Sequence, residues 1–252
     1  MTAFQICVCG ARHTSAAGQR GFTKTSVRFI RTTGPFPQAE SVKITSRFTM
    51  GDMRVSETKI PGSWEFTPKA FADARGVFAA PFQEAAFVEA VGHPLRLAQT
   101  NHSTSRRGTI RGVHFADVPP GQAKYVYCPR GSLLDVIVDL RVGSPTFGRH
   151  DVVRLDSTTM NAVYLSEGLG HAIIALEDDT TMAYLCSEGY NPTGERGLDP
   201  LCPELAIPWP ADLTPILSEK DTAAPGLSQA LADGVLPDYD ECQAWYAKLR
   251  TT

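Results

Sequence analysis

Arg111, His114 and Lys124 interrupt Thr109–Asp139, a stretch otherwise rich in the apolar, β-branched and aromatic residues of strands. Strand positions that face a core are normally apolar, because burying a charge without a partner costs several kcal/mol. Charged groups set there serve a binding or catalytic pocket. Along Ala123–Cys128 successive side chains point to opposite faces. Lys124 therefore shares a face with Val126 and Cys128, while Ala123, Tyr125 and Tyr127 share the other. Its core-type neighbours direct Lys124 inward; the competing reading is a lysine that snorkels from a strand edge.

Two more groups join these. His171 closes Ser166-Glu-Gly-Leu-Gly-His171 directly before an apolar strand, and Tyr184 shares a face with Met182 and Cys186. Taken singly, each reads as a satisfied core or rim residue. Taken together, histidine, lysine and tyrosine on one inner surface form an acid/base set suited to proton transfer at carbon beside a carbonyl. A neutral histidine can take the proton, and a lysine ammonium can hold the developing enolate oxygen. A tyrosine on the opposite face can return a proton. A carboxylate behind the histidine would orient it.

The elements that must position this set are mostly strands. Tyr125–Cys128, Leu133–Leu140, Val152–Leu155, Ala162–Leu165, Ala172–Leu176 and Met182–Cys186 are short apolar runs. They are separated by breakers such as Pro119-Pro120-Gly121 and Gly143-Ser144-Pro145. This spacing, without long intervening helices, predicts an all-β sandwich, jelly roll or barrel. Short helices are expected at Phe82–Ala90, from the i, i+4, i+8 spacing of Phe82, Ala86 and Ala90, and at Tyr239–Leu249. The proline-rich segment 200–225 is expected to wrap irregularly over the sheet.

The chain of 252 residues carries a formal charge of −3. That balance gives no nucleic-acid footprint, and no apolar run approaches a membrane span. The cysteines, Cys7, Cys9, Cys128, Cys186, Cys202 and Cys242, lack zinc spacing and read as reduced thiols of a cytoplasmic protein. Residues 1–39 hold no Asp or Glu but carry Arg12, Arg20, Lys24, Arg28 and Arg31. Such a composition fits a transit peptide or, preferably, a disordered upstream extension or misassigned start, with Met50 or Met53 as the first residue. Residues 1–52 are therefore set apart, and 53–252 form the expected domain.

Several motifs run in order from about Met53 to the C-terminus. They include Ile110-Arg-Gly-Val-His-Phe115, Pro119-Pro-Gly-Gln-Ala-Lys124, Asp139-Leu-Arg-Val-Gly-Ser-Pro-Thr-Phe-Gly148, Tyr164-Leu-Ser-Glu-Gly-Leu-Gly-His171, Tyr184-Leu-Cys-Ser, Tyr190-Asn-Pro and Leu217-Ser-Glu-Lys-Asp221. Together they resemble the dTDP-4-dehydrorhamnose 3,5-epimerase family. The resemblance implies a cupin-type jelly roll with short flanking helices, a homodimer, no metal and no organic cofactor. It implies a dTDP-4-keto-6-deoxyhexose substrate, inverted at C3, at C5 or at both through a 4-enolate. His114 matches the family's base, Asp221 the carboxylate behind it, Lys124 the group that stabilises the enolate and Tyr184 the acid. Arg75 and Arg111 match arginines that grip the diphosphate. Gln99, Asn101 and His171 match sugar-side contacts, and Tyr190 the aromatic residue near the nucleotide.

One position departs from the family pattern. In Arg75-Gly-Val-Phe-Ala-Ala80-Pro-Phe-Gln-Glu84, Ala80 stands where typical members place a substrate-contacting Glu. The Ala-Pro-Phe-Gln-Glu and Gln99-Thr-Asn-His-Ser forms resemble branches that serve antibiotic deoxysugar pathways, some of which invert a single carbon. Two rival readings are a metal-dependent cupin and a jelly roll that binds nucleotide sugar without catalysis. The first is weakened by Ala116, which breaks the His-x-His pair. The second leaves the full set of His114, Asp221, Lys124 and Tyr184 without a purpose.

Overall fold

A computed structural model describes residues 53–251. The expectations for residues 1–52 lie outside the described residues.

Strand β1 (Met53–Glu57) pairs with β2 (Ser63–Pro68), and β3 (Phe71–Asp73) and β4 (Gly76–Phe78) make a separate hairpin. Helix α1 (Glu84–Val91) follows. Then come β5 (Gln99–Ser105), β6 (Ile110–Ala116), β7 (Lys124–Arg130), β8 (Ser132–Asp139), β9 (His150–Asp156), β10 (Ala162–Leu165), β11 (Leu169–Ala175), β12 (Thr180–Cys186) and β13 (Glu195–Gly197). The chain ends in α2 (Glu219–Thr222), α3 (Leu227–Ala232) and α4 (Tyr239–Leu249).

Two antiparallel sheets result, ordered β1-β2-β10-β7-β12-β5 and β13-β6-β11-β8-β9. From β5 to β8, and again from β9 to β13, consecutive strands alternate between the sheets. This exchange gives a jelly roll of the cupin type. Between the sheets lies a core that includes Val126, Cys128, Leu133, Ile137, Leu155, Val163, Leu165 and Ile173. Both outer faces are covered as well. Phe66, Tyr125 and Tyr164 pack against Phe87 of α1. Val136, Val138 and Ala172 pack beneath Cys202 and Leu205 of the irregular C-terminal segment and Leu227 of α3. Strands buried on both faces lose the hydrophobic–polar alternation of a one-sided sheet. That is why Leu133–Leu140 reads as an almost continuous apolar run.

The C-terminal helix has the expected bounds, with Asp238 as its N-cap accepting a hydrogen bond from the Glu241 N–H at 3.0 Å. Helix α1 begins at Glu84 rather than Phe82. Phe82 stays outside it, with its ring set edge-on to Tyr125 at 5.1 Å. The helix stops at Gly92, whose φ of 91° is the left-handed conformation that glycine adopts freely. Strand β11 starts earlier than the apolar run suggests, so His171 lies inside it and not before it. The sequence reading named no strand at β1 to β5 or at β13.

Candidate active site

A cavity of about 320 Å³ opens between the sheets. His114, Lys124, Tyr184, Asp221, Arg111 and His171 all line it. His114 and His171 are cross-strand partners on β6 and β11, while Lys124 and Tyr184 enter from β7 and β12 of the facing sheet.

A bulge makes this convergence possible. Arg111 and His114 are three residues apart, so a regular strand would send them to opposite faces. Here Arg111 pairs with Ile173 and His114 with His171, so β6 spends one residue more than β11 over the same span. The extra residue turns both side chains into the cavity. Gly112 sits in the bulge at φ +118°, where a Cβ would lie 2.3 Å from the His171 carbonyl oxygen. Only glycine fits that backbone position.

His114 Nε2 lies 2.7 Å from Asp221 Oδ1. Asp221 is buried on the one-turn helix α2, whose N-cap Ser218 accepts a hydrogen bond from the Asp221 N–H at 3.1 Å. Burial alone would push the Asp221 pKa up. The His114 hydrogen bond and charge, aided by Ser218 and the Gly112 backbone, outweigh it and hold the carboxyl below its usual range. Asp221 is thus an anion able to accept from the His114 Nε2–H; in a neutral imidazole that arrangement leaves the lone pair on Nδ1. The segment leading into α2 is tied to β6 by the Ile110 N–H, which donates to the Ile216 carbonyl at 2.9 Å.

Burial lowers the Lys124 pKa, opposed by Cys186, Glu195 and Asp135, while Lys220 lowers it further. Burial raises the Tyr184 pKa, with Cys186 and Glu195 adding to the effect and Arg111 opposing it. Tyr184 therefore keeps its phenolic proton. Arg111 lies at the exposed mouth, with Nε donating to Ser105 Oγ at 3.1 Å.

The remaining expected residues are not cavity-lining. Asn101 lies directly opposite Tyr184 on β5 and accepts a hydrogen bond from Gln99 Nε2 at 2.7 Å. Tyr190 is 64% exposed, and its N–H donates to Gln99 Oε1 at 2.9 Å. Arg75 lies in the β3–β4 hairpin, paired with Asp73 at 3.1 Å and away from this cavity. Its place in a tight exposed turn, with the acid two residues earlier, favours that local pair.

Two cavity groups and one behind the cavity escaped the sequence reading. Lys220 stands beside Asp221, and the buried Ser103 Oγ lines the wall with no hydrogen-bond partner among the described residues. Asp135 lies behind His171, with Oδ2 2.8 Å from His171 Nε2. Its signal was legible: an acid at an inward position of an otherwise apolar run. Among the described residues no three His, Cys, Asp or Glu side chains form a metal-holding group.

A family model described as dTDP-4-dehydrorhamnose 3,5-epimerase matches residues 57–229. A dTDP-4-dehydrorhamnose 3-epimerase from Streptomyces niveus is 54% identical over 192 residues, covering 76% of this chain and 92% of the relative. A dTDP-4-dehydrorhamnose 3,5-epimerase from Mycolicibacterium smegmatis is 50% identical over 198 residues, covering 79% and 98%. Among solved structures, the 3'-monoepimerase ChmJ from Streptomyces bikiniensis, in complex with dTDP-quinovose, superposes with a TM-score of 0.76. It is 45% identical, covering 77% of this chain and 98% of that one. With the family match spanning most of the described residues and near-complete relatives about half identical, this chain belongs to the dTDP-4-dehydrorhamnose 3,5-epimerase family of isomerases.

Proposed function

We propose that this enzyme epimerises a dTDP-4-keto-6-deoxyhexose at carbon next to the ketone, at C3, C5 or both. The observation that carries this reading is the hydrogen-bonded His114–Asp221 pair on one sheet, facing Lys124 and Tyr184 on the other across one cavity. His114 Nδ1 takes the proton from carbon, and the imidazolium that forms is held by the Asp221 carboxylate. The electron pair left on carbon moves to the 4-oxygen, where the Lys124 ammonium stabilises the enolate. Tyr184 delivers its phenolic proton to carbon from the other side, so the configuration inverts. Solvent then restores the proton to Tyr184 and removes one from His114.

Arg111 and Lys220 at the cavity supply cations for the diphosphate. Gln99, Asn101 and His171 are assigned to the sugar side and Tyr190 to the nucleotide, on the family match and their place around the cavity. Inversion at C3 alone is the second reading, favoured by the 54% identity to a 3-epimerase. We assign residues 53–252 as the catalytic unit, supported by the family match to 57–229. A homodimer is supported by the β3–β4 hairpin, which keeps Phe71, Val77 and Phe78 about half exposed. Among the described residues no helix is long and apolar enough to cross a membrane. The thiols of Cys128, Cys186, Cys202 and Cys242 are all free, which supports a reducing, cytoplasmic setting.

The test is proton NMR of dTDP-4-keto-6-deoxyglucose with the enzyme in D₂O. Deuterium at C3 and C5 with a rhamno product establishes the double inversion. Exchange and inversion at one carbon establishes the mono-epimerase. Absence of exchange at both overturns the reading.

A further inference from the structure

Asp135 is fully buried, at 0% exposure, on the inner face of β8. Its same-face neighbours on β8 are Leu133 and Ile137, with Ile173 opposite on β11, all members of the apolar core between the sheets. On β9 the opposite residue is Val153, which packs on the same core. A carboxylate in such surroundings is costly unless its oxygens are satisfied. Here only Oδ2 is bonded, to His171 Nε2 at 2.8 Å, and Oδ1 has no partner among the described residues.

His171 is the cross-strand partner of His114, so two histidine–carboxylate pairs lie side by side on one cavity floor. The second pair is the more deeply buried, with its histidine side chain 7% exposed against 34% for His114.

We propose that Asp135 is a positioning residue: it fixes the His171 ring so that one nitrogen is turned to the sugar. As the acceptor for Nε2–H it leaves His171 Nδ1 as the ring atom able to meet the substrate. The proposal rests on His171 serving the sugar side of the site.

The test is Asp135→Asn, which keeps the shape but sets an amide against His171. ¹⁵N NMR of the His171 ring should show the Nε2–H tautomer in the wild type and a loss of that preference in D135N. In D₂O exchange assays kcat should fall about tenfold or more while dTDP affinity stays within about twofold. A rate loss with the His171 tautomer unchanged overturns the proposal, since a packing defect alone would give that result. If D135N does not fold, the wild-type spectrum decides: an Nε2–H tautomer supports the proposal and an Nδ1–H tautomer overturns it. If wild-type enzyme exchanges neither carbon, the functional reading fails on its own, and the same spectra still decide for Asp135.

Discussion

In the proposed reaction, removal and return of the proton fall to different side chains, which stand on different sheets. His114 has Asp221 behind it at 2.7 Å, and Tyr184 faces it from β12 with a proton that burial makes hard to lose. Tyr184→Phe should therefore leave dTDP binding and the first proton loss largely intact. Completed inversion should slow by about 10²–10⁴-fold, the usual contribution of a positioned acid. Comparing substrate deuterium washout with product formation in the same NMR series checks this; equal slowing of both would falsify the division of labour. The acid/base set itself was legible in the sequence because His114, Lys124 and Tyr184 are polar types at core-like strand positions. Asp221 was not legible by spacing, since it acts from a four-residue helix about a hundred residues away in the chain. Only the motif that contains it pointed to it.

At the scale of elements, apolar strands could be read and polar ones could not. Ala162–Leu165 has the expected bounds, and the runs at Leu133–Leu140 and Met182–Cys186 lie within a few residues of β8 and β12. Strand β5, Gln-Thr-Asn-His-Ser-Thr-Ser, is polar throughout. It is an edge strand whose outer residues Thr100, His102 and Thr104 face solvent and whose inner residues are Gln99, Asn101 and Ser103, of which Ser103 lines the cavity. No hydrophobic period marks such a strand. The β6 bulge was equally silent, because strict alternation is the only rule a lone strand offers. Yet the bulge alone brings Arg111 and His114 to one side. Gly112→Ala should force a Cβ to within 2.3 Å of the His171 carbonyl at a φ that alanine resists. The expected outcome is a stability loss on the order of 2–4 kcal/mol by denaturant titration. Exchange at C3 and C5 should disappear even under conditions where the variant remains folded.

At the scale of the whole molecule, the jelly roll is covered on both outer faces, and one buried acid couples that covering to pH. Glu167 lies just before β11, with its backbone carbonyl accepting the Tyr246 hydroxyl of α4. Burial lifts its pKa to about 7, against its own backbone N–H and the neighbouring Trp245 and Ser187 side chains, which lower it. The folded state thus holds a proton that the unfolded chain releases near the ordinary value of 4.5. Stability should be greatest at low pH as far as this group is concerned. It should fall as pH rises from about 4.5 to about 7, by an amount on the order of 3 kcal/mol, and level off above. Glu167→Gln should remove that slope, which thermal melts at pH 5 and pH 8 would reveal. The β3–β4 hairpin makes a separate demand on the molecule. Phe71, Val77 and Phe78 remain about half exposed, on a two-stranded hairpin whose turn carries Arg75. An isolated hairpin is marginal in water, and its exposed apolar side chains, Phe71 and Phe78 on one face and Val77 on the other, mark an interaction surface. A second copy of the chain would cover them and could receive Arg75 at its own cavity, which Arg75 does not reach within one chain. Light scattering should then give a dimer mass for the wild type and a monomer mass for Val77→Glu, because a charge on a covered apolar face cannot be desolvated cheaply. Weaker dTDP binding in both Val77→Glu and Arg75→Ala would tie the assembly to the site. A V77E protein that stays dimeric with unchanged affinity would place the interface elsewhere and leave Arg75 to its local partner, Asp73.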